Sequence, residues 1–503
     1  DGRGGTKAYH LKHTRINTDF SYNSLTGTLP AWLFEKKIMR GVLIINNFLN
    51  GTIPTTLGRT PHMLRIDLAS NYLTGTIPTT VGLLTTVTSL GLAGNSLTST
   101  VPTEIVKMTR LQTLKLHTNS LTGTIPTLLA AMSSLKLLFL YSNQLTGSLP
   151  SQLVLNTGLQ YLDLYDNLLT GTIPEAIGNC SIMARLVISS NKLSGSLPSS
   201  LSKMVKLEHL YLSANKLTGS LPSTMGVWSK LKVLEVNNNA FTGTIPTTLS
   251  LLSSLEEVYL RSNQLEGPIA DILNSTRQKL IRNLDISDNL FTGTIPSAWF
   301  TSSTLQIFAI TSNCLILPDL ASFCLAPNLL VLSVDGIQTG SNCKNFFFDF
   351  SKLTTYALIH NVKQNIPDCL YTLPHLSVLH LSGNALTGTI PTSIGLLDSL
   401  QQLYISSNKL TGTIPTTIGL MTSLQYFYLF SNQISGAIPT AIGLMTSLYY
   451  MLLDQNSLTG TLPTTIGLMT SLWYFGFSYN SFTGTIPDVI VLMTSLQNMW
   501  IRS

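Results

Sequence analysis

The chain predicts an α/β repeat protein: a solenoid of about twenty 24-residue units, each supplying one short parallel strand and one outer turn. Three observations predict it. Asn recurs at strict 24-residue steps from Asn23 through Asn47 and Asn71 to Asn263, and again from Asn384 to Asn480. Each Asn closes a frame of apolar residues spaced three and then two apart, as in Leu111, Leu114, Leu116, Asn119 and in Leu424, Phe427, Leu429, Asn432. After it comes Leu-Thr-Gly-Thr-Ile-Pro, as in Leu73 to Pro78 and Leu410 to Pro415.

Each part of the unit has a physical reason. The spacing of three then two turns one strand face inward, and a single repeat has nothing to bury it against, so stacking is compulsory. The Asn at the strand exit is placed to bond its side-chain amide to the backbone of its own and the next repeat. Gly permits the bend that follows, and Pro ends pairing. The stretch Thr-Thr-Ile-Gly-Leu-Met-Thr-Ser-Leu has apolar residues at irregular spacing and predicts a helical or 3₁₀ turn on the outer side.

Two places break the period. Asn289 follows Asn263 after 26 residues, and the two extra residues fall near Asn274–Lys279, where an outward loop is expected. From Asn313 to Asn384 is 71 residues, three repeats less one. Frames at Leu329, Leu332, Val334 leading to Ile337 and at Leu353, Tyr356, Leu358 leading to Asn361 make 314–383 a stretch of degenerate, Cys-containing repeats. Residues 1–22 read as an atypical first repeat. The frame Leu496, Met499, Ile501 asks for an Asn past Ser503, so the chain is expected to stop within a repeat. The whole of 1–503 reads as a single domain.

Composition narrows the function. Only 10% of the 503 residues are charged and 44% are hydrophobic, which excludes a disordered acidic or basic chain. Thr, Ser and Asn wet the surface instead. The net charge of +6 comes from scattered residues, so nucleic acid is not an expected partner. No stretch approaches the ~18 consecutive apolar residues of a membrane-spanning helix. Phosphate-loop, Gly-x-Ser-x-Gly, His-Glu-x-x-His and nucleotide-binding glycine patterns are missing, and neither catalysis nor a cofactor is expected. No Cys-x-x-Cys or Cys/His spacing points to a metal.

Cys314, Cys324, Cys343 and Cys369 fall in the degenerate stretch, where weakened stacking gains most from crosslinks. Three connectivities are possible, among them Cys314–Cys324 with Cys343–Cys369 and Cys324–Cys343 with Cys314–Cys369. Cys180 stands where other repeats place Leu84 or Met421 and predicts a buried free thiol. Asn179-Cys180-Ser181 and Asn274-Ser275-Thr276 are glycosylation sequons, and Asn274 is the better placed because it lies in the insertion.

The repeat resembles the leucine-rich-repeat superfamily. Its Leu-Thr-Gly-Thr-Ile-Pro half is similar to the plant-type subclass of receptor-kinase ectodomains and polygalacturonase-inhibitor proteins, as is Ile177-Gly178-Asn179-Cys180-Ser181. The recurrent Met-Thr-Ser-Leu, as in Met421–Leu424, is closer to surface antigens of kinetoplastid protists. The chain departs from the plant pattern in lacking a paired-Cys N-terminal cap, in carrying no kinase or membrane segment, and in its uniform Thr. The resemblance implies a right-handed leucine-rich-repeat solenoid with a concave parallel β-sheet, ligand contacts on that face, and an extracellular or cell-surface, secreted location.

On that face the fourth residue before each Asn forms a column that includes Lys115, Phe139, Asp163, Tyr211, Glu235, Tyr259, Asp285, His380, Tyr404, Tyr428 and Trp500. Neighbouring columns add Tyr426, Phe430, Tyr449, Tyr450, Trp473, Tyr474 and Tyr479 in the last strands. Aromatics are enriched where partners dock and also stack on sugar rings. They equally favour β-surfaces in general. A second region, Glu208, Glu235, Glu256, Glu257, Arg261, Arg282, Asp285 and Asp288, concentrates charge and reads as a polar site or a solvated face. Thr at the residue after Gly, as in Thr52, Thr76 and Thr413, forms rows suited to ordered water, O-glycans or another copy.

The function expected is a recognition or adhesion module that binds a protein, peptide or glycan. The alternatives are a structural component of a coat, filament or flagellar appendage built by self-assembly with other copies, and the ectodomain of a signalling receptor.

Overall fold

The computed structural model describes residues 16–35, 39–152, 156–270, 272–316, 318–335 and 365–500. Contacts divide the chain into two compact units, Asp1–Leu231 and Lys232–Ser503. In the first, nine short strands from Ile16–Asp19 to His209–Tyr211 pair in chain order, all parallel. In the second, eleven strands from Val233–Glu235 to Asn498–Trp500 do the same. Register follows the period: Leu138 lies opposite Leu114 and Leu162. These central strand residues are fully buried while their flanking neighbours are half-buried, so one face of each strand makes the core and the other is offered outward.

The outer turns are mostly 3₁₀ elements; Thr416–Leu420 and Thr440–Leu444 each open after a Pro. The Ile418 N–H bonds the Pro415 carbonyl at 3.0 Å, and the Met421 N–H bonds that of Ile418 at 3.1 Å. An α-helix ~10 Å across does not stack at the ~4.8 Å spacing of neighbouring strands. The Gly of this element is what the stacking demands. A Cβ on Gly443 would sit 2.3 Å from the Thr465 carbonyl oxygen of the next element, and one on Gly419 would sit 2.4 Å from that of Ala441.

The Asn ladder corrects one sequence reading. Asn143 donates to the carbonyls of Leu140 (3.0 Å) and Tyr141 (3.2 Å) in its own repeat and to Leu116 (3.1 Å) in the preceding one, and it accepts the Leu121 N–H at 3.0 Å. The link therefore runs backward along the chain and not to the next repeat. The reason is the corner itself: the residue before each Asn is left-handed, as in Ser142 (φ 50°) and Ser431 (φ 54°), and the chain turns beneath the previous loop. Past the corner the Thr-Gly-Thr segments, and Thr98-Ser99-Thr100 in their place, form narrow second pairings with exposed Thr, as at Thr98, Thr100, Thr411 and Thr413.

The period breaks resolve as follows. The two extra residues lie in an exposed turn where the Asn274 side-chain oxygen accepts from the Thr276 N–H and hydroxyl and the Arg277 N–H. In the degenerate stretch, the strand Val331–Ser333 pairs directly with Val378–His380, Val331 opposite Val378. The frame at Leu353–Asn361 lies outside the described residues. Cys324 bonds Cys369 across the outer turns Leu320–Leu325 and Asp368–Thr372, Cα to Cα 5.9 Å. This is neither of the two connectivities written above, because the direct strand pairing makes these two outer turns stacking neighbours. Cys314 is disulfide-bonded too, and Cys343 lies outside the described residues. Cys180 is a buried free thiol, as read from its place in the repeat, and burial pushes it up to about 11.

The aromatic strand face as candidate functional site

Three strands carry most of the aromatic residues: Tyr426–Tyr428, Tyr450–Leu452 and Tyr474–Gly476. Their middle residues Phe427, Met451 and Phe475 are fully buried, which by strand alternation leaves Tyr426, Tyr428, Tyr450 and Tyr474 on the opposite face. The parallel register then sets equivalent residues of neighbouring strands side by side, and the rings stack. His380 and Tyr404 are 3.9 Å apart between centroids and nearly parallel, and Tyr404 and Tyr428 are 4.3 Å apart. Beside this ladder runs another, Tyr426 to Tyr450 (5.5 Å) to Tyr474 (5.8 Å), and a third pair, Tyr449 with Trp473 (5.7 Å). Edge contacts join them: Tyr428 to Tyr450 at 6.4 Å and Tyr450 to Trp473 at 5.3 Å. Phe430 leans on Tyr428 at 6.5 Å.

The structure thus brings eight of the sequence-read residues together: Tyr404, Tyr426, Tyr428, Phe430, Tyr449, Tyr450, Trp473 and Tyr474. Among the described residues no ring contact joins Tyr479 or Trp500 to them. Tyr479 occupies the left-handed corner (φ 53°) beyond its strand. Trp500 is in the right column, but Leu452 and Gly476 separate it from Tyr428, and Gly476 is its own pairing partner. Both are half exposed.

His380 belongs to the cluster although the sequence reading left it out of the aromatic set. It stood in the same column as Tyr404, and that was the available signal. The His380 Nε2–H donates to Gln402 Oε1 at 3.1 Å and its Nδ1 accepts the Ser333 hydroxyl at 3.1 Å. Burial depresses the ring to about 4, against the opposing pull of the Gln402 bond. Because the folded value lies below the unfolded ~6.5, stability tied to the neutral ring is present above pH 6.5 and lost as pH falls toward 4. An NMR titration of the His380 ring is expected to give a midpoint near 4; one near 6.5 contradicts the stack. The tyrosines stay neutral donors: burial raises Tyr404, Tyr428, Tyr450 and Tyr474, with neighbouring tyrosines adding to each.

The charged region of the same unit is paired internally. Arg282 bonds Glu257 at 2.7 Å and Glu256 at 3.2 Å, and Arg261 bonds Asp288 at 3.0 Å. Asp285 is raised by burial and accepts the Ser287 N–H. With these cations neutralised by neighbouring acids, this stretch is a weaker candidate than the aromatic one. Glu208 lies in the first unit.

Comparison with known proteins follows the same lines. Family models described as leucine rich repeat match residues 157–217 and 374–434, and residues 230–252 and 280–301. No curated relative matches by sequence. Among solved structures, the chain is similar to the plant peptide hormone receptor RGFR1 in complex with RGF2, at 30% identity and TM-score 0.68 over 97% of this chain and 74% of that one. It is similar to the Arabidopsis receptor kinase HAESA ectodomain in complex with an IDA peptide hormone ligand, at 28% identity and TM-score 0.74 over 96% and 82%. A bacterial protein, LIC12759 of Leptospira interrogans, matches at 26% identity and TM-score 0.57 over 90% and 99%. With the Asn ladder, the stacked parallel strands and the Leu-Thr-Gly-Thr-Ile-Pro corner shared along its length, the chain belongs to the leucine-rich-repeat family in its plant-type form.

Proposed function

We propose that this protein is an extracellular recognition module that binds its ligand across the aromatic strand face of the second unit. The observation that carries the reading is the connected cluster from His380 to Tyr474, a large rigid surface already ordered before any ligand arrives. Preorganised aromatics lose little entropy on binding and dominate interface energetics. The similar plant structures hold peptide hormones, which supports a binding role for the family's scaffold and not a catalytic one. The Cys324–Cys369 bond and the exposed Asn274 sequon fit an oxidising, secretory route, with Asn274 and the exposed Asn179 as glycosylation sites. Among the described residues no helix is long and apolar enough to cross a membrane.

The triple change Tyr428→Ala, Tyr450→Ala, Trp473→Ala tests the site. Ligands selected by the unchanged protein from a peptide display library and a glycan array are expected to lose at least tenfold in affinity, with the fold intact by circular dichroism. Retained affinity removes the aromatic face as the site.

A second reading, self-association into a coat or filament, has one observation in its favour. Leu396, Leu420, Leu444, Leu468 and Leu492 recur every 24 residues at the ends of successive outer 3₁₀ elements and are 53 to 64% exposed. Unpartnered apolar rows of this kind mark contact surfaces. On this reading sedimentation shows concentration-dependent association that Leu420→Glu with Leu444→Glu abolishes, and a monodisperse monomer excludes it.

A further inference from the structure

We propose that the ligand of the aromatic face is an uncharged oligosaccharide. The inference rests on the assignment of that face as the binding surface, and it names the chemistry of the occupant.

The first argument is charge. In the second unit the outward columns of the first strands carry Lys232, Glu235, Glu256, Glu257, Arg282 and Asp285. From the strand Ile307–Ala309 onward, the same columns hold no Lys, Arg, Asp or Glu as far as Trp500. Two acids stand in the adjoining column, Asp335 and Asp454. Both are engaged, Asp335 with the Ser382 N–H and Asp454 with the Ser478 N–H at 2.8 Å, and burial raises both, Asp335 to about 7. An anionic ligand would lose water on this face and gain no counter-ion, which is costly. A neutral one loses nothing by it.

The second argument is shape. A protein partner anchors by inserting a side chain into a pocket of the facing surface. Here the rings stand 3.9 to 5.8 Å from their stacked neighbours, so no slot between them admits an inserted chain. The surface accepts something laid flat on it. A β-linked pyranose chain is a ribbon with apolar C–H faces and a rim of neutral hydroxyls. The C–H faces suit the apolar ring edges that the stacked ladders present, and the hydroxyls suit amides and phenols, which neither titrate at neutral pH nor demand a counter-charge.

The third argument is position. The ladders end at Trp473 and Tyr474, and the strand that follows sets Asn498 opposite Tyr474, with Gln497 next to it. The aromatic ladders are thus followed in register by neutral amide residues, whose groups can bond sugar hydroxyls without a counter-charge. The ~4.8 Å step between strands is close to the length of one β-linked hexose, so successive sugars keep pace with successive repeats.

The test uses the intact chain with four probes: cellohexaose, laminarihexaose, hexagalacturonate and a random peptide display library. At least one neutral hexasaccharide is expected to bind, quench tryptophan fluorescence and change in affinity less than about twofold between low and high salt. Trp473→Ala is expected to weaken it at least tenfold. Tyr474→Phe, which keeps the ring and removes the hydroxyl, is expected to weaken it less and guards against a folding defect. If display peptides or hexagalacturonate bind and are released by Trp473→Ala while neutral sugars do not bind, the sugar inference is overturned and the binding face stands. If no probe binds, or binding is indifferent to Trp473→Ala, the face itself is the wrong site and the inference falls with it.

Discussion

Asn408→Ala is expected to destabilise the second unit by about 3 to 5 kcal/mol, because buried backbone groups each lose a partner at roughly 1 to 3 kcal/mol apiece. The buried Asn408 side chain accepts two N–H groups, from Asn384 and Leu386, both at 3.0 Å. It donates to the carbonyls of Leu381 (3.0 Å), Ile405 (3.1 Å) and Ser406 (3.1 Å). Ala removes all five contacts and leaves a cavity at the corner. Asn408→Asp is the sharper variant, since it keeps the shape and the accepting oxygen but turns a carboxylate oxygen toward three carbonyls. It is expected to cost at least as much as Ala, and increasingly so as pH rises above the carboxylate range. Guanidinium unfolding followed by circular dichroism checks both. A loss under 1 kcal/mol for either variant contradicts the ladder as the element that joins repeats.

The second large effect is expected from Cys324→Ser with Cys369→Ser. The bond spans 45 residues of sequence, and closing a loop of that length removes about 4 kcal/mol of chain entropy from the unfolded state. Simple reduction also breaks the bond at Cys314, so the paired serines isolate the contribution of Cys324–Cys369. The expected result is a lowered unfolding midpoint. An unchanged midpoint would show that strand pairing alone holds the two outer turns together.

The sequence made the strands and corners legible for a specific reason: in a one-dimensional stack every repeat meets the same neighbours, so each structural demand is written at a fixed interval. Asn143, Leu138 and Cys180 are examples, and all three sit where the period put them. The aromatic face was legible in part for the same cause, since in-register parallel strands convert a 24-residue column into rows of touching rings. Tyr479 and Trp500 stand apart from the ring stack, which the sequence did not show because a column says nothing of backbone corners or of small residues such as Gly476 that interrupt a stack. The direct pairing of Val331–Ser333 with Val378–His380 was not legible, because an apolar frame records spacing and not which strands meet. The direction of the Asn link was read the wrong way, toward the next repeat, because bonding to the repeat before or after leaves the same trace in the sequence. The Gly of the outer turn carried a signal that went unread: only a residue without Cβ fits where Gly443 meets the Thr465 carbonyl.

Three surfaces compete for the functional role: the aromatic strands, the charged strands and the outer leucine row. Hydroxyl-radical footprinting of the intact chain, with and without the tightest binder from the sugar and peptide screens, decides among them. The account predicts protection of Tyr428, Tyr449, Tyr450, Trp473 and Tyr474, with Tyr259, Leu420 and Leu444 oxidised as before. Protection at Tyr259 or along the leucine row, with the aromatic strands still oxidised, would contradict it.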